Sequence, residues 1–348
     1  MNTVTILNQE EVIKVLDMSS TIRAVENAYV FNSTKQAELY PLICKMYDNG
    51  GEFDIKSGEC SGEKIFGLKL VCGFPENVKI GLPRSNGIIV VYDLNNGLIH
   101  GIVDGVYITK IRTGAAGAIG AKYLARKQSE TLMILGTGRM ALAEIAATLE
   151  VMDNIKKVII CNPRNKEKAV DFANNTKQKL IDEYISTYKN TEYYNTLLKK
   201  CDIEYTGTDD TKAACSESDI IITVTNAHES LINSDWIKSG THISCIGADM
   251  PGKQELDENI MPKARLYADS ISQVISVGEM KAAYNKKLIQ DNDIIEIGNV
   301  INGSAQARIS DNDITVFDST GIAIQDLLTA DAAISLAKER NIGTNILL

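Results

Sequence analysis

Residues 131–142, TLMILGTGRMAL, constrain the fold of this chain more than any other stretch. A short apolar run passes through Gly136-Thr137-Gly138-Arg139-Met140-Ala141 into further apolar residues at helical spacing. That pattern predicts a strand that turns sharply into a helix. Gly136 permits the tight turn, Gly138 lets a ligand approach the backbone, and Ala141 is small enough for close helix–strand packing. The helix N-terminus offers unpaired N–H groups and the positive end of its dipole, which suits the pyrophosphate of a dinucleotide. An ordinary glycine turn is the alternative. The context favours the dinucleotide, because the turn follows an apolar strand, precedes a helix and opens a strand–helix series.

That series continues downstream. TLMIL (131–135), KVIIC (157–161), DIIITVT (219–225), THISCIG (241–247), RLYAD (265–269) and TVFDS (315–319) read as strands with helices between them. Successive units of this kind imply a parallel sheet covered on both faces. Upstream, residues 1 to about 35 read as helical, with a serine cap in SSTIRAVENAYVF. Residues 40–105 read as short strands separated by turns such as DNGG, FPEN and LNNG. A helix rich in small residues spans 107–126, and the final segment, GIAIQDLLTADAAISLAKERNIG, reads as an amphipathic helix stopped by Gly343. The fold class is therefore α/β, a Rossmann-type doubly wound parallel sheet plus a smaller α+β domain. The expected domains are 1–115 with 320–348, and 116–319. Residues 164–202 are long for one crossover and read as a polar helical insertion with a role in assembly.

The chain has 348 residues, 44% of them hydrophobic, enough for two domains with a sizeable core. Its net charge is −9 and no basic tract stands out, which argues against nucleic acid as a partner. Seven cysteines include no CxxC pair, and with three histidines no zinc-site spacing appears, so the expectation is reduced thiols and no metal. Glu10, Glu11 and Asp17 fall where a signal peptide would be apolar, and apolar runs such as 87–92 and 220–224 are too short to cross a bilayer. A cytoplasmic protein without membrane segments is expected.

Several charged residues sit in unusual company. The strand after the glycine turn ends in Asn162-Pro163-Arg164, without the acid that grips the ribose of NAD. Asn162 can still bond a ribose hydroxyl. Arg164 either meets the 2′-phosphate of NADP or is a solvated surface arginine, so the cofactor stays NAD or NADP. Lys69 lies inside the apolar strand GLKLV, where it is either buried with a partner or on the polar face. Arg112 opens a helix of small residues and is either a fork for a carboxylate or half of a surface ion pair. Asp249 and Lys253 flank Pro251-Gly252 just beyond a strand's carboxyl end. There Asp249 is either a general acid/base or a turn aspartate capping the next element.

Together these blocks resemble the ornithine cyclodeaminase/μ-crystallin family. The resemblance runs from about residue 40 onward through GLKLV (67–71), IRTGAAGAIGAKYLA (111–125), GTGRMA (136–141), TVTNAHESLI (223–232), GADMPGKQEL (247–256) and FDSTGIAIQD (317–326). The GADMPGK block is most similar to the cyclodeaminase branch. The resemblance implies Asp249 as catalytic acid/base, Lys69 as its assistant beside the amino acid, and Arg112 as the carboxylate clamp. It implies cofactor contacts at Gly136, Gly138, Arg139, Met140, Asn162, Arg164, Arg84, Thr113, Thr223, Val224, Thr225, Lys253 and Ser319. It further implies a small amino-acid substrate and a homodimer formed through the sheet of the N-terminal domain.

Three features depart from the family pattern. Leu42 or Ile43 falls where members carry a second clamping arginine, leaving Lys45 as a substitute without the fork. Asp54 falls where the cyclodeaminase branch has a glutamate for the side-chain amine. GLPRSNG (81–87) is more similar to the amino-acid dehydrogenases of the family. For ornithine the implied chemistry is loss of the Cα hydride to the nicotinamide, closure of the δ-amine on the imine, loss of ammonia and return of the hydride to give proline. Without a second amine the reaction stops at the imine, as in an amino-acid or N-substituted amino-acid dehydrogenase or, in reverse, an imine reductase. An NADPH- and ligand-binding protein of μ-crystallin type is the third possibility.

Overall fold

Eight strands, all paired in parallel, form one of two eight-stranded sheets among the described residues, in the spatial order Glu204–Thr208, Lys157–Cys161, Thr131–Leu135, Ile220–Thr223, His242–Cys245, Ile314–Asp318, Ala264–Ala268 and Ile294–Glu296. The computed structural model describes residues 3–189 and 191–348. It divides into two compact units, residues 113–321 with this sheet, and residues 1–112 with 322–348. The central strands are buried on both faces, Ile220, Ile221 and Ile222 at 0% exposure, which explains why they read as continuous apolar runs instead of alternating ones. From Thr131–Leu135 the chain builds outward to Glu204–Thr208, then returns to Ile220–Thr223 on the other side and builds the opposite way. The order therefore reverses between Thr131–Leu135 and Ile220–Thr223, the switch point at which open α/β sheets bind ligands.

The segment 164–202 is a crossover of this sheet and not an appended insertion. The helix Lys166–Glu183, capped by Asn165, buries Ala169, Ala173, Thr176 and Leu180, a stripe at helical spacing. A short 3-10 turn and the helix Glu192–Lys200 then lead into the edge strand Glu204–Thr208. Its sequence, EYTGT, is too polar to mark it as a strand without its partner.

The smaller unit holds a mixed sheet in the order Thr344–Leu347, Thr3–Leu7, Ile99–Asp104, Ser85–Asp93, Ile65–Gly73, Glu52–Cys60 and Ala37–Leu39, with Ile43–Met46 also paired to Glu52–Cys60. The chain thus begins with a strand, where helix was expected. The helices that follow, Gln9–Val15 and Met18–Ser33, start at Asn8 and Asp17, and the second cap is Asp17 and not a serine. The last helix, Ala323–Arg340, packs on the sheet's core face; a Cβ on Gly67 would lie 3.0 Å from Leu327. This helix stops at Asn341, which adopts the left-handed conformation at φ 53°, two residues before the expected Gly343. Thr344–Leu347 then closes antiparallel on Thr3–Leu7. No helix among the described residues is long and apolar enough to cross a membrane.

Candidate active site

The glycine turn sits at the switch point. Gly136 has φ +121°, and a Cβ there would lie 2.8 Å from the Val224 carbonyl oxygen. Val224 N donates to Leu135 O at 3.0 Å, so the ends of the two switch-point strands are stitched together. Gly138 is the opposite case, since a Cβ there would meet nothing within 4 Å. Its backbone faces open space at the start of the helix Ala141–Val151, with Arg139 exposed and Met140 at the cap position. These residues fit a dinucleotide pyrophosphate: a fixed turn, an uncovered backbone and a helix N-terminus. Asn162 donates from Nδ2 to Thr137 Oγ1 at 2.9 Å, tying the next strand's end to this turn. Its Oδ1 accepts from Arg164 N, while the Arg164 side chain is exposed.

Further along the same carboxyl edge, Thr223 is buried, Val224 and Thr225 are half-buried, and Ser319 donates to Asp269 Oδ2 at 2.9 Å. Asp249 follows the strand His242–Cys245, with its side chain 42% exposed. Lys253 Nζ lies 2.5 Å from Asp249 Oδ1, so the structure pairs two residues that were read as an acid/base and a cofactor contact. Thr113, 9% exposed in the helix Gly105–Leu124, opens this unit.

The smaller unit gathers the cations. Lys69 is on the core face of its strand and 3% exposed, which rules out the solvated alternative. Its Nζ lies 2.7 Å from Asp326 Oδ2, and Arg112 Nε donates to Asp326 Oδ1 at 2.9 Å. Asp326 is fully buried in the last helix. Burial pulls the Lys69 ammonium down to about 7, with the Asp326 charge holding it up and Arg112 pushing it further down. Burial works against the Asp326 carboxylate too, but Arg112 and Lys69 outweigh it and hold Asp326 below the ordinary aspartate value. A third cation, Lys56, is the cross-strand partner of Lys69, and its charge reaches both Lys69 and Asp326. Sequence reasoning missed Asp326 and Lys56. Asp326 closes the FDSTGIAIQD block, and Lys56 alternates with Asp54 in FDIKS, but only strand register reveals either as a partner.

Asp54 shares the face of Lys56 and Lys69, being two residues from Lys56, and its Oδ1 is buried with no hydrogen-bond partner. Lys45 does not join them. It pairs with Phe53, one residue out of step with Asp54, so it points to the opposite face, and it is exposed. Of the two lysines, Lys56 and not Lys45 shares the face of Lys69. Arg84 is exposed in the loop before Ser85–Asp93.

A doubly wound sheet with a phosphate-type glycine turn, and a separate unit with buried cations, define a dinucleotide-binding α/β protein. The chain belongs to the ornithine cyclodeaminase/mu-crystallin family, whose model matches residues 2–187 and 179–340. An alanine dehydrogenase of Archaeoglobus fulgidus is 33% identical over 342 residues, covering 98% of this chain and 97% of that protein. An archaeal alanine dehydrogenase dimer with bound NAD is 31% identical, with a TM-score of 0.83 over 100% of both chains. The Thermococcus litoralis Delta(1)-pyrroline-2-carboxylate reductase, solved with NADH and L-proline, is 28% identical, with a TM-score of 0.84 over 99% of this chain and 100% of that one.

Proposed function

We propose that the chain is an NAD(P)-dependent enzyme that interconverts an L-amino acid and its α-imine, acting as an amino-acid dehydrogenase or imine reductase. The observation that carries this reading is the grouping of Lys56, Lys69 and Arg112 around the single buried carboxylate of Asp326. The Arg112 and Lys56 cations beside this carboxylate suit the α-carboxylate of an amino acid. Arg112 and Lys56 hold that carboxylate. Lys69, neutral above about pH 7, takes a proton from the α-ammonium. Asp249, steadied by Lys253, moves protons at the reacting carbon and nitrogen. The nicotinamide, when bound, supplies the hydride acceptor. The bound NAD and NADH of the two solved relatives support the cofactor class.

One observation favours a second reading, ornithine cyclodeamination. Asp54, whose side chain the Cys44 thiol also reaches, keeps a buried Oδ1 on the face of Lys69 that can accept from a side-chain amine. The apolar outer face of the mixed sheet, where Ile88 is 45% and Ile43 56% exposed, supports pairing with a second copy of the chain.

One assay separates the readings. L-alanine and L-ornithine are each incubated with NAD⁺ and with NADP⁺, and proline, ammonia and reduced-nicotinamide absorbance are measured. Reduced cofactor accumulating with ammonia supports the dehydrogenase. Proline and ammonia in equal amounts without reduced cofactor support the cyclodeaminase. Asp249→Asn should bind NADH and lose nearly all turnover; undiminished turnover rejects Asp249 as the acid/base.

A further inference from the structure

Asp249 and Lys253 lie on the loop Gly247–Glu255, and the base of that loop is closed by one side chain. Glu255 is fully buried. Its Oε1 accepts from Thr225 N at 2.6 Å and its Oε2 from Gly247 N at 3.0 Å. Thr225 and Gly247 follow two adjacent strands, Ile220–Thr223 and His242–Cys245, so one carboxylate spans two strand ends at the ligand edge of the sheet. The fit is close: a Cβ on Gly247 would lie 2.6 Å from the Glu255 carboxylate and 2.4 Å from the Thr225 carbonyl oxygen. Glu255 is fixed in turn by a second buried glutamate. Its own N donates to Glu279 at 3.0 Å, and Leu256 N donates to Glu279 Oε1 at 2.5 Å.

Burying a carboxylate is costly unless it is paired or hydrogen-bonded. Among the described residues no lysine or arginine is buried in this unit, so backbone N–H groups carry the compensation. Only a carboxylate presents two acceptor oxygens to two N–H donors; a glutamine would turn its NH2 group against one of them.

We propose that Glu255, seated by Glu279, is the positioning residue for Asp249, fixing the loop that presents it at the ends of the two strands. The proposal rests on the reading of Asp249 as the acid/base. It makes the seating of the loop's base depend on one buried side chain beside the pairing of Gln254–Leu256 with His228–Ile232, so the loop should loosen when that side chain loses an acceptor. A displacement of about 1 Å at a reacting group lowers turnover by roughly 10²-fold.

The test is a double-mutant cycle on Glu255→Gln and Asp249→Asn in the full chain, with L-alanine or L-ornithine and NAD⁺, whichever pair the wild type turns over. Glu255→Gln should retain NADH binding and lower kcat by about 10²-fold. The double variant should be no slower than Asp249→Asn alone, because Glu255 acts through Asp249. Amide hydrogen exchange should rise across 247–255 and not at the glycine turn. Independent, additive losses, or a kcat for Glu255→Gln equal to wild type beside an inactive Asp249→Asn, overturn the proposal while leaving Asp249 as the acid/base. A fully active Asp249→Asn removes the reading and the proposal together. If Glu255→Gln does not fold, Glu279→Ala, which removes the acceptor of both Glu255 N and Leu256 N, should lower kcat in the same non-additive way, and an unchanged kcat there overturns the proposal.

Discussion

At Asp326 a single carboxylate balances Lys69 and Arg112 in a buried setting. Replacing it by alanine leaves two buried cations without a counter-charge, which costs about 3–5 kcal/mol by the behaviour of broken buried pairs. A loss of unfolding free energy of that order, measured by denaturant unfolding, is the expected result for Asp326→Ala. Asp326→Asn keeps the shape and removes the charge that holds the Lys69 proton, so Lys69 should lose its proton at lower pH. The rate of amino-acid oxidation in the wild type should climb through about pH 7 as Lys69 becomes neutral, and in Asp326→Asn that limb should move to lower pH. A limb that stays in place would show that another group sets it. Lys69 and Arg112 are legible in the sequence because a cation among apolar or small residues is expensive unless used. Asp326 is not, because it lies 214 residues beyond Arg112 in a helix whose buried face is a tertiary fact.

The turn and the strands around it carry their own prediction. Gly136 and Gly138 look alike in the sequence but do different work. Gly136→Ala forces a side chain onto a left-handed backbone and against the Val224 carbonyl, so it should destabilise the fold by about 1–3 kcal/mol. Gly138→Ala adds a methyl group to open space, so the melting temperature should hold while NADH affinity, followed by fluorescence, falls. Equal effects on stability would contradict this division. The apolar strands of the parallel sheet are legible because both their faces are buried. Glu204–Thr208 and Ile294–Glu296 are not, being the two edge strands, which are marked by their pairing and not by their composition. Lys45 shows the limit on the mixed sheet: a shift of one residue in register moves a side chain to the other face, and register is set by partners far along the chain.

For the molecule as a whole, two properties can be measured without substrate. Ile88→Asp places a charge on the outer face of the mixed sheet without touching the core. Light scattering should find a dimer for the wild type and a monomer for this variant; unchanged mass would move the interface elsewhere. Burial, reinforced by the Glu255 charge, pushes the Glu279 carboxyl up to about 8. The folded chain therefore holds a proton that the unfolded chain releases at the ordinary glutamate value, and stability should fall as pH rises toward and through about 8. Glu255, Asp318, Asp269 and Cys245 share that region, so the charge gained meets like charges and is relieved only by the Leu256 and Glu255 N–H groups. Melting curves between pH 6 and 9 should show a shallower alkaline decline for Glu279→Gln. The division of the chain also sets an order of events during synthesis. Residues 1–112 leave the ribosome before residues 113–321, yet their unit is completed by residues 322–348, which follow both and bring Asp326 and the closing strand. Domains form as units once their residues are available. The middle of the protein is therefore finished before its beginning, and until the final helix emerges, Lys69 and Arg112 wait without their shared carboxylate. A nascent chain halted after residue 321 should protect its nucleotide-binding segment from protease and leave its first hundred residues open to cutting.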